Sequence, residues 1–447
     1  MEPSRPVFPC ETFPADPRTA RLLGLYEQAQ AGRWMQRIKI AAGRVTAPQW
    51  RALAAIARGF TPRTPLHLTT RQDLEFHDLS AGQVPPLQRA LEEVQMTGLG
   101  ACGDTIRNIT VCPCSGVAAG KPELEGLALE IRKLLENAEG AFALPRKFKV
   151  SLSACQQACG QPWINDLGLV YQAPNGRHGF AVIAGGSLGP RPATGIMIAD
   201  FLAPEDVLPL CLAAVRTFQA HGDRNNRAKA RLRHVRQRVG DEAFTRIMLD
   251  TLAAVKAERP WPRMELDSST AVFPDRLILT FPNGDVTPDA ADAMGELAGR
   301  GDLAARIAND HRIIVFGRDP FLRDAVRQSA ALRSAAEEQP SVVACPGRRW
   351  CKRALTDTND LADRIRMESR SRLSPQTTVC ISGCPNNCAH SAVADIGLIG
   401  VIDSRDGQRR EAYDLLRGGQ MGRTGKLAEP VGRKLSAAEV LKRLASA

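Results

Sequence analysis

Two stretches decide the fold of this chain: KFKVSLSACQQACGQPWINDLGLV at residues 147–170 and QTTVCISGCPNNCAHSAVADIGLI at residues 376–399. Aligned without a gap, they share two cysteines, an aspartate, a glycine and three further residues. The identical pairs are Val150/Val379, Ser153/Ser382, Cys155/Cys384, Cys159/Cys388, Asp166/Asp395, Gly168/Gly397 and Leu169/Leu398. So many identities in one ungapped window indicate an internal duplication.

The sequences upstream of the two stretches also match. VCPCSGVA at 111–118 aligns with ACPGRRWC at 344–351. Each half begins with a predicted strand, at 37–40 and 277–280, followed by a turn and a helix that start with GRVTAPQW and GDVTPDAA. A further strand follows each helix, at 66–68 and 312–315, and we equate these two. Each half is therefore predicted to be a β-α-β unit followed by a module that bears a cysteine pair.

The predicted fold class is α+β, with α/β modules, ferredoxin-like β-α-β halves and a pseudo-two-fold duplication. The expected domains are an N-terminal region with the first ferredoxin-like half at 1–110 and a first α/β domain at 111–235. A linker helix with the second ferredoxin-like half is expected at 236–335, and a second α/β domain at 336–447. At 447 residues the chain is long enough for several cores.

Four cysteines near the C-terminus form a candidate metal site: Cys345, Cys351, Cys384 and Cys388. Four thiolates complete the ligand set of a [4Fe–4S] cluster. Pro385 suits the first position of a helix, which would place Cys388 in the first turn. Structural zinc remains an alternative, although C-x5-C followed by C-x3-C matches its usual spacing poorly. Plain buried cysteine is the other alternative, and it explains Cys211 better than this clustered set.

The two copies have diverged in complementary ways. Ala118 stands at the position of Cys351, so the first copy lacks one of the four ligands. Gln376 and Thr378 stand at the positions of Lys147 and Lys149, so the second copy lacks the cations. One half is predicted to hold a metal while the other supplies positive charge to a site between them.

The composition of the chain limits the classes of molecule that the protein is expected to bind. A formal net charge of +11 favours anions, but aromatic residues make up only 5% and no base-stacking motif is present, so nucleic acid is the least favoured partner. Residues 224–237 read as a basic helix, for which a solvated face is the alternative. No apolar run approaches the roughly 18 residues of a membrane span, and no secretory signal is recognisable. We expect a cytoplasmic protein, where thiols stay reduced.

The motifs together resemble the sirohaem and [4Fe–4S] sulfite/nitrite reductases, in particular the assimilatory sulfite reductase haemoproteins. The resemblance runs along nearly the whole chain. Its elements are LTTRQDLEFH at 68–77, GDTIRN at 103–108, LPRKFK at 144–149, WINDLGLV at 163–170, IAGGSLG at 183–189 and the cysteine quartet. It implies the duplicated sulfite/nitrite reductase fold, and a cluster bridged to the sirohaem iron through the sulfur of Cys388.

The same resemblance implies the substrate and cofactor contacts. Arg71, Arg107, Lys147 and Lys149 would bind a small oxyanion, with the alternation Lys147-Phe148-Lys149 on a strand aiming both amines at one place. Sirohaem carries many carboxylates, and Gln72, Gly185, Gly186, Arg227 and Arg231 are its candidate ligands. A ferredoxin, a flavodoxin or a flavoprotein reductase is the expected electron donor.

Five more cysteines, Cys102, Cys112, Cys114, Cys155 and Cys159, form a second cysteine-rich patch in the first half. We interpret Cys155 and Cys159 as relics of the duplication. A second cluster stays open, with Cys102 or Cys114 as its fourth ligand.

Sulfite reduction is the leading functional hypothesis, because the resemblance places lysine at both 147 and 149 in sulfite reductases and asparagine at the second position in many nitrite reductases. Nitrite reduction to ammonia is the first alternative. A tetrapyrrole oxygenase such as precorrin-3B synthase and a non-enzymatic electron-transfer protein are the others, and both would be expected to lose the four cations.

Overall fold

The computed structural model describes residues 5–264, 266, 273, 275–301, 303–318, 322–337, 340–368, 372–404 and 407–445. The elements before residue 100 are α1 (Pro17–Leu22), β1 (Leu25–Glu27), β2 (Trp34–Ile38), α2 (Ala47–Phe60), β3 (Leu66–Leu68), β4 (Leu74–Leu79) and α3 (Val84–Glu93). Those from 110 to 257 are β5 (Thr110–Val111), α4 (Glu125–Glu136), β6 (Val150–Ser153), β7 (Leu167–Gln172), β8 (Gly179–Ala184), β9 (Ile196–Leu202), α5 (Val207–His221), α6 (Leu232–Val239) and α7 (Asp241–Ala257).

The second half repeats this order. Residues 275–328 contain β10 (Asp275–Thr280), β11 (Asp285–Val286), α8 (Pro288–Ala298), β12 (Leu303–Ile307), β13 (Arg312–Gly317) and α9 (Leu322–Gln328). Residues 341–445 contain β14 (Ser341–Ala344), α10 (Gly347–Trp350), α11 (Thr358–Glu368), β15 (Thr378–Ser382), β16 (Ile396–Asp403), β17 (Arg410–Arg417), β18 (Glu429–Leu435) and α12 (Ala437–Ala445).

The sheets of the two α/β modules have the same topology. Their strand orders are β5-β6-β7-β8-β9 and β14-β15-β16-β17-β18. In both, the first three strands are parallel and the last two are antiparallel additions. This identity of order and direction confirms the predicted duplication and fold class.

The residues shared by the two cysteine stretches have the same structural role in each copy. The Asp166 carboxylate accepts a hydrogen bond from the Lys149 backbone N–H at 2.9 Å, and Asp395 accepts one from Thr378 N–H at 2.9 Å. Gly168 and Gly397 both lie against the short 3₁₀ turn that follows the cysteines, where an added Cβ would come within 3 Å of backbone atoms. Structural demands of the repeated unit therefore explain these identities.

The two ferredoxin-like halves share one hydrophobic core. Helices α2 and α8 start alike: Thr46 and Thr287 are their N-caps, each accepts a hydrogen bond from the third helical N–H, and a proline follows within the first two helical positions. The buried faces of both helices belong to that core. Strand β11 extends the first-half sheet by pairing with β3, which joins the halves further.

One predicted correspondence between the halves is wrong. β4 pairs with β2 and β3, as β13 pairs with β10 and β12. The strand of the second half that corresponds to β3 (66–68) is therefore β12 (303–307), and not the predicted strand at 312–315. The sequence signal failed because β12 reads LAARI, with only intermediate burial over its first three residues.

The predicted domain boundaries remain proposals, with one change. Helix α7 was assigned to the linker before the second ferredoxin-like half, yet its residues Phe244, Met248, Leu252 and Val255 lie in the core of the first α/β module with α5. We therefore propose that this module extends to the end of α7. In the described part of the chain, no helix has the length and apolar character needed to cross a membrane.

Gln72 provides a test of how the modules are joined. Its buried side chain donates to Val111 O at 2.7 Å and Ile307 O at 2.8 Å, and accepts from Val111 N–H at 2.9 Å. Gln72→Ala should lower the thermal unfolding midpoint by roughly 5 °C, because buried backbone groups lose their partners. Gln95→Ala is the matched control, since exposed Gln95 has nearly the same left-handed φ (59° against 60°). The unfolding midpoints are measured by calorimetry. An equal shift in both variants would mean that the effect comes from the left-handed backbone, and would contradict the role of the Gln72 side chain in joining the modules.

Candidate active site between the two halves

A cavity of about 1010 Å³ lies between the two halves of the molecule. The first half contributes most of its wall, and the second half contributes Asn386, Asn387, Cys388 and His390. Twelve arginine and lysine side chains line it against two aspartates. The predicted site between a cysteine-bearing half and a cation-bearing half is thus present as a single space.

Two of the predicted substrate ligands are arginines held by backbone carbonyls. Arg71 donates to Asn108 O at 2.6 Å and to the side-chain oxygen of Asn165 at 2.8 Å. Arg107 donates to Ala101 O at 2.7 Å and Gly103 O at 2.8 Å. Both guanidinium groups keep a buried Nε without a partner in the described structure. Carbonyl oxygens fix the orientation of these groups without cancelling their charge.

Burial, together with the neighbouring Arg107 and Arg231 and against the opposing effect of Asp73, lowers the pKa of Arg71 to about 10. A guanidinium whose pKa is depressed in this way is one that gains from a bound anion. The arginine pair therefore presents positive charge to the cavity.

Lys147 and Lys149 face the same cavity on either side of Phe148. Phe148 is fully buried in the core of the first α/β module, and both lysines are half-buried. The predicted alternation is present, although the segment lies just before β6 and makes only one isolated bridge, from Phe148 to Ile106. An extended backbone is sufficient to alternate side chains without a full strand.

The lysine pKa values are lowered strongly. Burial lowers the pKa of Lys147 to about 7, with Arg107 and Arg231 contributing and the Cys388 sulfur opposing. Burial, followed by Arg71 and Lys147, places the pKa of Lys149 well below its usual range. In the described structure, neither ammonium has a carboxylate partner within ion-pair distance. Lys147 can therefore take up or release a proton near neutral pH, and burial disfavours the charged form of Lys149.

The four C-terminal cysteines converge at the edge of this cavity. Cys388 interacts electrostatically with Cys345, Cys351 and Cys384, and Cys345 also interacts with Cys351. The Gly383 N–H donates to the Cys345 sulfur at 3.2 Å. Backbone N–H groups directed at sulfur are one of the features that tune iron–sulfur clusters.

The quartet has the number of thiol donors that a [4Fe–4S] cluster takes. In the described ranges, no three Cys, His, Asp or Glu side chains are grouped to hold one metal ion. Each cysteine of a cubane binds a different iron, so its sulfurs lie further apart than zinc ligands do. Four thiols spread around one space are the donor set of a [4Fe–4S] cluster.

The predicted helix after Pro385 is absent. Residues 383–390 form consecutive turns in which Asn387 (φ 61°) and His390 (φ 66°) have left-handed conformations. Such residues interrupt an α-helix, so no helix dipole acts on Cys388. Instead, the turns place its carbonyl where the Thr70 hydroxyl of the first half donates to it at 2.9 Å.

Two predicted sirohaem ligands, Arg227 and Arg231, line the cavity. Arg231 is buried and pairs with Asp166 at 2.8 Å, while Arg227 pairs with Asp104. The predicted basic helix is divided into a 3₁₀ turn at Arg227–Lys229 and α6. Four of its basic residues line the cavity: Arg227, Lys229, Arg231 and Arg233. Arg231 and Arg233 are buried, so the solvated-face alternative fails for these two, whereas Arg227 and Lys229 are exposed.

The other three predicted sirohaem ligands lie outside the cavity wall. All Gln72 side-chain hydrogen bonds go to backbone groups, as described above. Gly185 packs near Arg236 and Phe244, and a Cβ on Gly186 would meet Trp163 O at 2.1 Å. These glycines permit close packing, whereas the residues that follow them in the loop, 188–192, line the cavity.

Arg233 is a ligand candidate that the sequence interpretation missed. It is 4% exposed, it lines the cavity, and its buried Nε and Nη1 have no hydrogen-bond partner in the described structure. Its pKa is lowered to about 10 by burial and by Arg231. The sequence signal that could have identified Arg233 was its position two residues after Arg231. Orphaned guanidinium nitrogens in a cavity of this size and charge fit a large polyanionic cofactor such as sirohaem.

The fold and site define a metal-dependent oxidoreductase with a duplicated α+β architecture and an anion-binding cavity beside a cluster site. The model of the nitrite and sulphite reductase 4Fe-4S domain matches residues 102–255 and 337–447, and that of the nitrite/sulfite reductase ferredoxin-like half domain matches 26–94. The chain belongs to the nitrite and sulfite reductase family. Its cofactors are sirohaem and a [4Fe–4S] cluster.

Curated relatives cover most of the chain. The chloroplastic ferredoxin–nitrite reductase of Arabidopsis thaliana is 27% identical over 91% of this chain and 74% of its own. The assimilatory ferredoxin-dependent nitrite reductase of Haloferax mediterranei is 28% identical over 98% and 83%. The solved NirA protein of Mycobacterium tuberculosis aligns with a TM-score of 0.81 at 22% identity, covering 95% of this chain and 85% of that one, which shows the shared fold.

Replacing Arg233 tests the cofactor assignment. Arg233→Gln should weaken sirohaem retention about tenfold, because one charge-assisted hydrogen bond to the cofactor is lost. The Nε and Nη1 atoms of Arg233 have no hydrogen-bond partner in the described structure, so the substitution breaks no protein hydrogen bond of these two atoms. Arg236→Gln is the control, because this residue lies on the same helix but is bonded to Asp241 and Thr194. Sirohaem per chain, measured by absorption after dialysis, should fall only in the first variant. Equal retention in both would remove Arg233 from the site.

Proposed function

We propose that the protein reduces sulfite to sulfide in a six-electron reaction in the cavity between its halves. The carrying observation is that Lys147 and Lys149 both line this cavity together with Arg71, Arg107 and Cys388. We assign Arg71, Arg107, Lys147 and Lys149 to substrate, and Cys345, Cys351, Cys384 and Cys388 to the cluster, with Cys388 shared with sirohaem. Arg227, Arg231 and Arg233 are the proposed sirohaem ligands.

The charge of the cavity favours sulfite. Sulfite approaches a dianion at neutral pH, and each added cation stabilises a dianion about twice as much as a monoanion at the same distance. The resemblance to the family also implies asparagine in many nitrite reductases at the position of the second lysine, Lys149. A four-cation site is therefore better matched to sulfite.

Sirohaem and the cluster, when bound, would relay electrons from the donor to the substrate. The protein supplies orientation and protons. Arg71 and Arg107 can orient the oxyanion, because their guanidinium groups are fixed by carbonyls and retain free N–H capacity. Lys147 Nζ, with a pKa near neutrality, can donate a proton to an oxygen that leaves as water and then be reprotonated. A bound anion would favour the charged form of Lys149, because a nearby negative charge raises the pKa that burial has lowered.

Nitrite reduction to ammonia is the second candidate. The observation that favours it is that the relatives described above are named ferredoxin-dependent nitrite reductases. The family makes the protein an oxidoreductase, and the four retained cations speak against a tetrapyrrole oxygenase or a simple electron carrier. A ferredoxin is the donor we propose, with flavodoxin or a flavoprotein reductase as alternatives, and the cytoplasm is the proposed compartment.

Substrate preference can be measured on sirohaem-loaded protein with reduced methyl viologen. We expect a higher kcat/KM for sulfite than for nitrite. Lys149→Asn should lower the sulfite value at least tenfold and the nitrite value less, because the dianion loses more stabilisation. Lys229→Asn removes the same charge from an exposed residue of the cavity wall and serves as the control. Higher turnover of nitrite by the unaltered protein would establish the second candidate instead.

The pH dependence tests the role of Lys147. Its ammonium form is present below its pKa and is lost as pH rises through that value, so kcat/KM for sulfite should fall on the alkaline side of about 7. Bound sirohaem carboxylates would move this limb upward, since negative charge favours the ammonium. Lys147→Arg should abolish the limb and lower kcat, because guanidinium stays charged but does not release its proton. A profile unchanged in shape in this variant would exclude Lys147 as the proton donor.

A further inference from the structure

Asp73 is a buried carboxylate in the wall of the anion-binding cavity. It is 2% exposed, and it lines the same space as Arg71. The other lining aspartate, Asp223, belongs to a loop in which its carboxylate accepts the Asn225 and Asn226 N–H groups at 2.9 Å. A negative group opposes the binding of an anion, so a buried carboxylate in this wall requires an explanation of its own.

The loop that carries Asp73 is built twice in the molecule. Residues 69–73 join β3 to β4, and residues 308–312 join β12 to β13. In each loop the first N–H donates to the last carbonyl oxygen, at 2.9 and 2.8 Å respectively. The fourth residue of each loop, Gln72 or His311, is left-handed, with φ of 60° or 62°. The two loops therefore correspond residue by residue.

The two loops carry opposite charges at two corresponding positions. Arg71 corresponds to Asp310, and Asp73 corresponds to Arg312. In the second half these charges form an ion pair, because Arg312 Nε donates to the Asp310 carboxylate at 2.9 Å. In the first half, Arg71 donates to Asn165 and to main-chain oxygens instead. Within the part of the chain that the structure describes, the Asp73 carboxylate is thus left without an ion pair.

Four ionisable groups face the Asp73 carboxylate at longer range. Arg37 and Lys39 approach from β2 and the residue after it, Arg71 from the same loop, and Cys102 from the loop after α3. Burial raises the pKa of Asp73 to about 6, although Arg37, Arg71 and Lys39 oppose this shift. A carboxyl group of this kind exchanges its proton near neutral pH.

The proposed reaction consumes protons as well as electrons. Reduction of sulfite to hydrosulfide takes up six electrons and seven protons, because each of the three oxygen atoms leaves as water. A single amine such as Lys147 must therefore be recharged several times within one turnover. A second proton-exchanging group in the same cavity wall would meet this demand.

We propose that Asp73 is a proton relay of this site. Its carboxyl O–H bond breaks as an O–H bond forms on an oxygen that leaves the substrate as water, and the remaining carboxylate is then reprotonated from solvent. Replacement protons can come from the surface of α4, because Lys39 interacts with Asp73 and donates to half-buried Glu136 at 2.6 Å. The proposal rests on the proposed function in requiring an oxyanion that loses oxygen, which holds for sulfite and for nitrite.

The test compares Asp73→Asn with the unaltered protein, both purified anaerobically and loaded with sirohaem. Asparagine keeps the acceptor for the Ile40 N–H, which lies 3.4 Å from the Asp73 carboxylate, but carries no exchangeable acid proton. With reduced methyl viologen, kcat for sulfite and for nitrite should fall at least about tenfold. The solvent deuterium isotope effect on kcat should rise, because proton delivery then limits turnover. KM should not rise, because the loss of a negative group favours anion binding.

Two further variants serve as controls. Asp223→Asn makes the same replacement in the same cavity wall and should leave kcat and its isotope effect unchanged. Asp73→Glu keeps an ionisable carboxyl group and should restore most of the turnover that Asp73→Asn loses.

Infrared difference spectroscopy of the loaded, oxidised protein gives a readout that does not depend on activity. The acid form of Asp73 is present below its pKa, so the unaltered protein should show a carboxylic acid band that disappears as pH rises through about 6. Bound sirohaem carboxylates would move this transition upward, since negative charge favours the protonated form. Asp73→Asn should lack the band.

Three results would overturn the relay. The first is a lower KM with unchanged kcat in Asp73→Asn, which would limit Asp73 to balancing charge. The second is an equal loss of turnover in Asp73→Asn and Asp73→Glu. The third is the absence of the titrating band from the unaltered protein, a result that requires no variant to fold. A preference for nitrite with the Asp73 effects intact would instead contradict the proposed sulfite reduction and support the relay.

Discussion

Mutual repulsion among cations that share one cavity is the constraint on which the site depends. Twelve basic side chains and two aspartates line this space, and only some of the cations have carboxylate partners. Arg71 and Arg107 are held by main-chain carbonyls, which fix their direction and leave their charge available. Burial, reinforced by neighbouring cations, lowers the pKa values of Arg71, Lys147, Lys149 and Arg233. An anionic cofactor and an anionic substrate relieve this repulsion. The cations already lie close together before either anion binds, so binding of an anion is favourable.

Duplication explains how such a site can be built. Each α/β module repeats the same strand order, and each turn after its second strand presents two cysteines. Only the first copy carries Lys147 and Lys149, and only the second places a cysteine, Cys388, on the cavity wall. Gln72 ties the first ferredoxin-like half to β5 and to β12, which holds the two contributions in register. Division of roles between copies thus rests on a shared backbone with a few exchanged side chains.

The sequence was sufficient for the duplication and the fold class, because both depend on residues whose type and spacing are repeated or matched to a family. It also named four cations and Cys388, which line one cavity. It was insufficient where tertiary packing decides. Pro385 starts no helix because left-handed Asn387 and His390 interrupt it. Gly185 and Gly186 pack against other residues outside the cavity wall, and Gln72 bonds to backbone groups. Arg233 could be recognised only from its orphaned nitrogens in the folded cavity.

The central claim is that cations of the first half and the cluster cysteines of the second half enclose one cofactor site. X-ray diffraction at the iron absorption edge, on crystals of anaerobically purified, sirohaem-loaded protein, tests it most directly. The account predicts an anomalous peak for the haem iron inside the cavity lined by Arg71, Lys147, Lys149 and Cys388, and cluster density at Cys345, Cys351, Cys384 and Cys388. A haem-iron peak outside that cavity, or no iron at the four C-terminal cysteines, would contradict it.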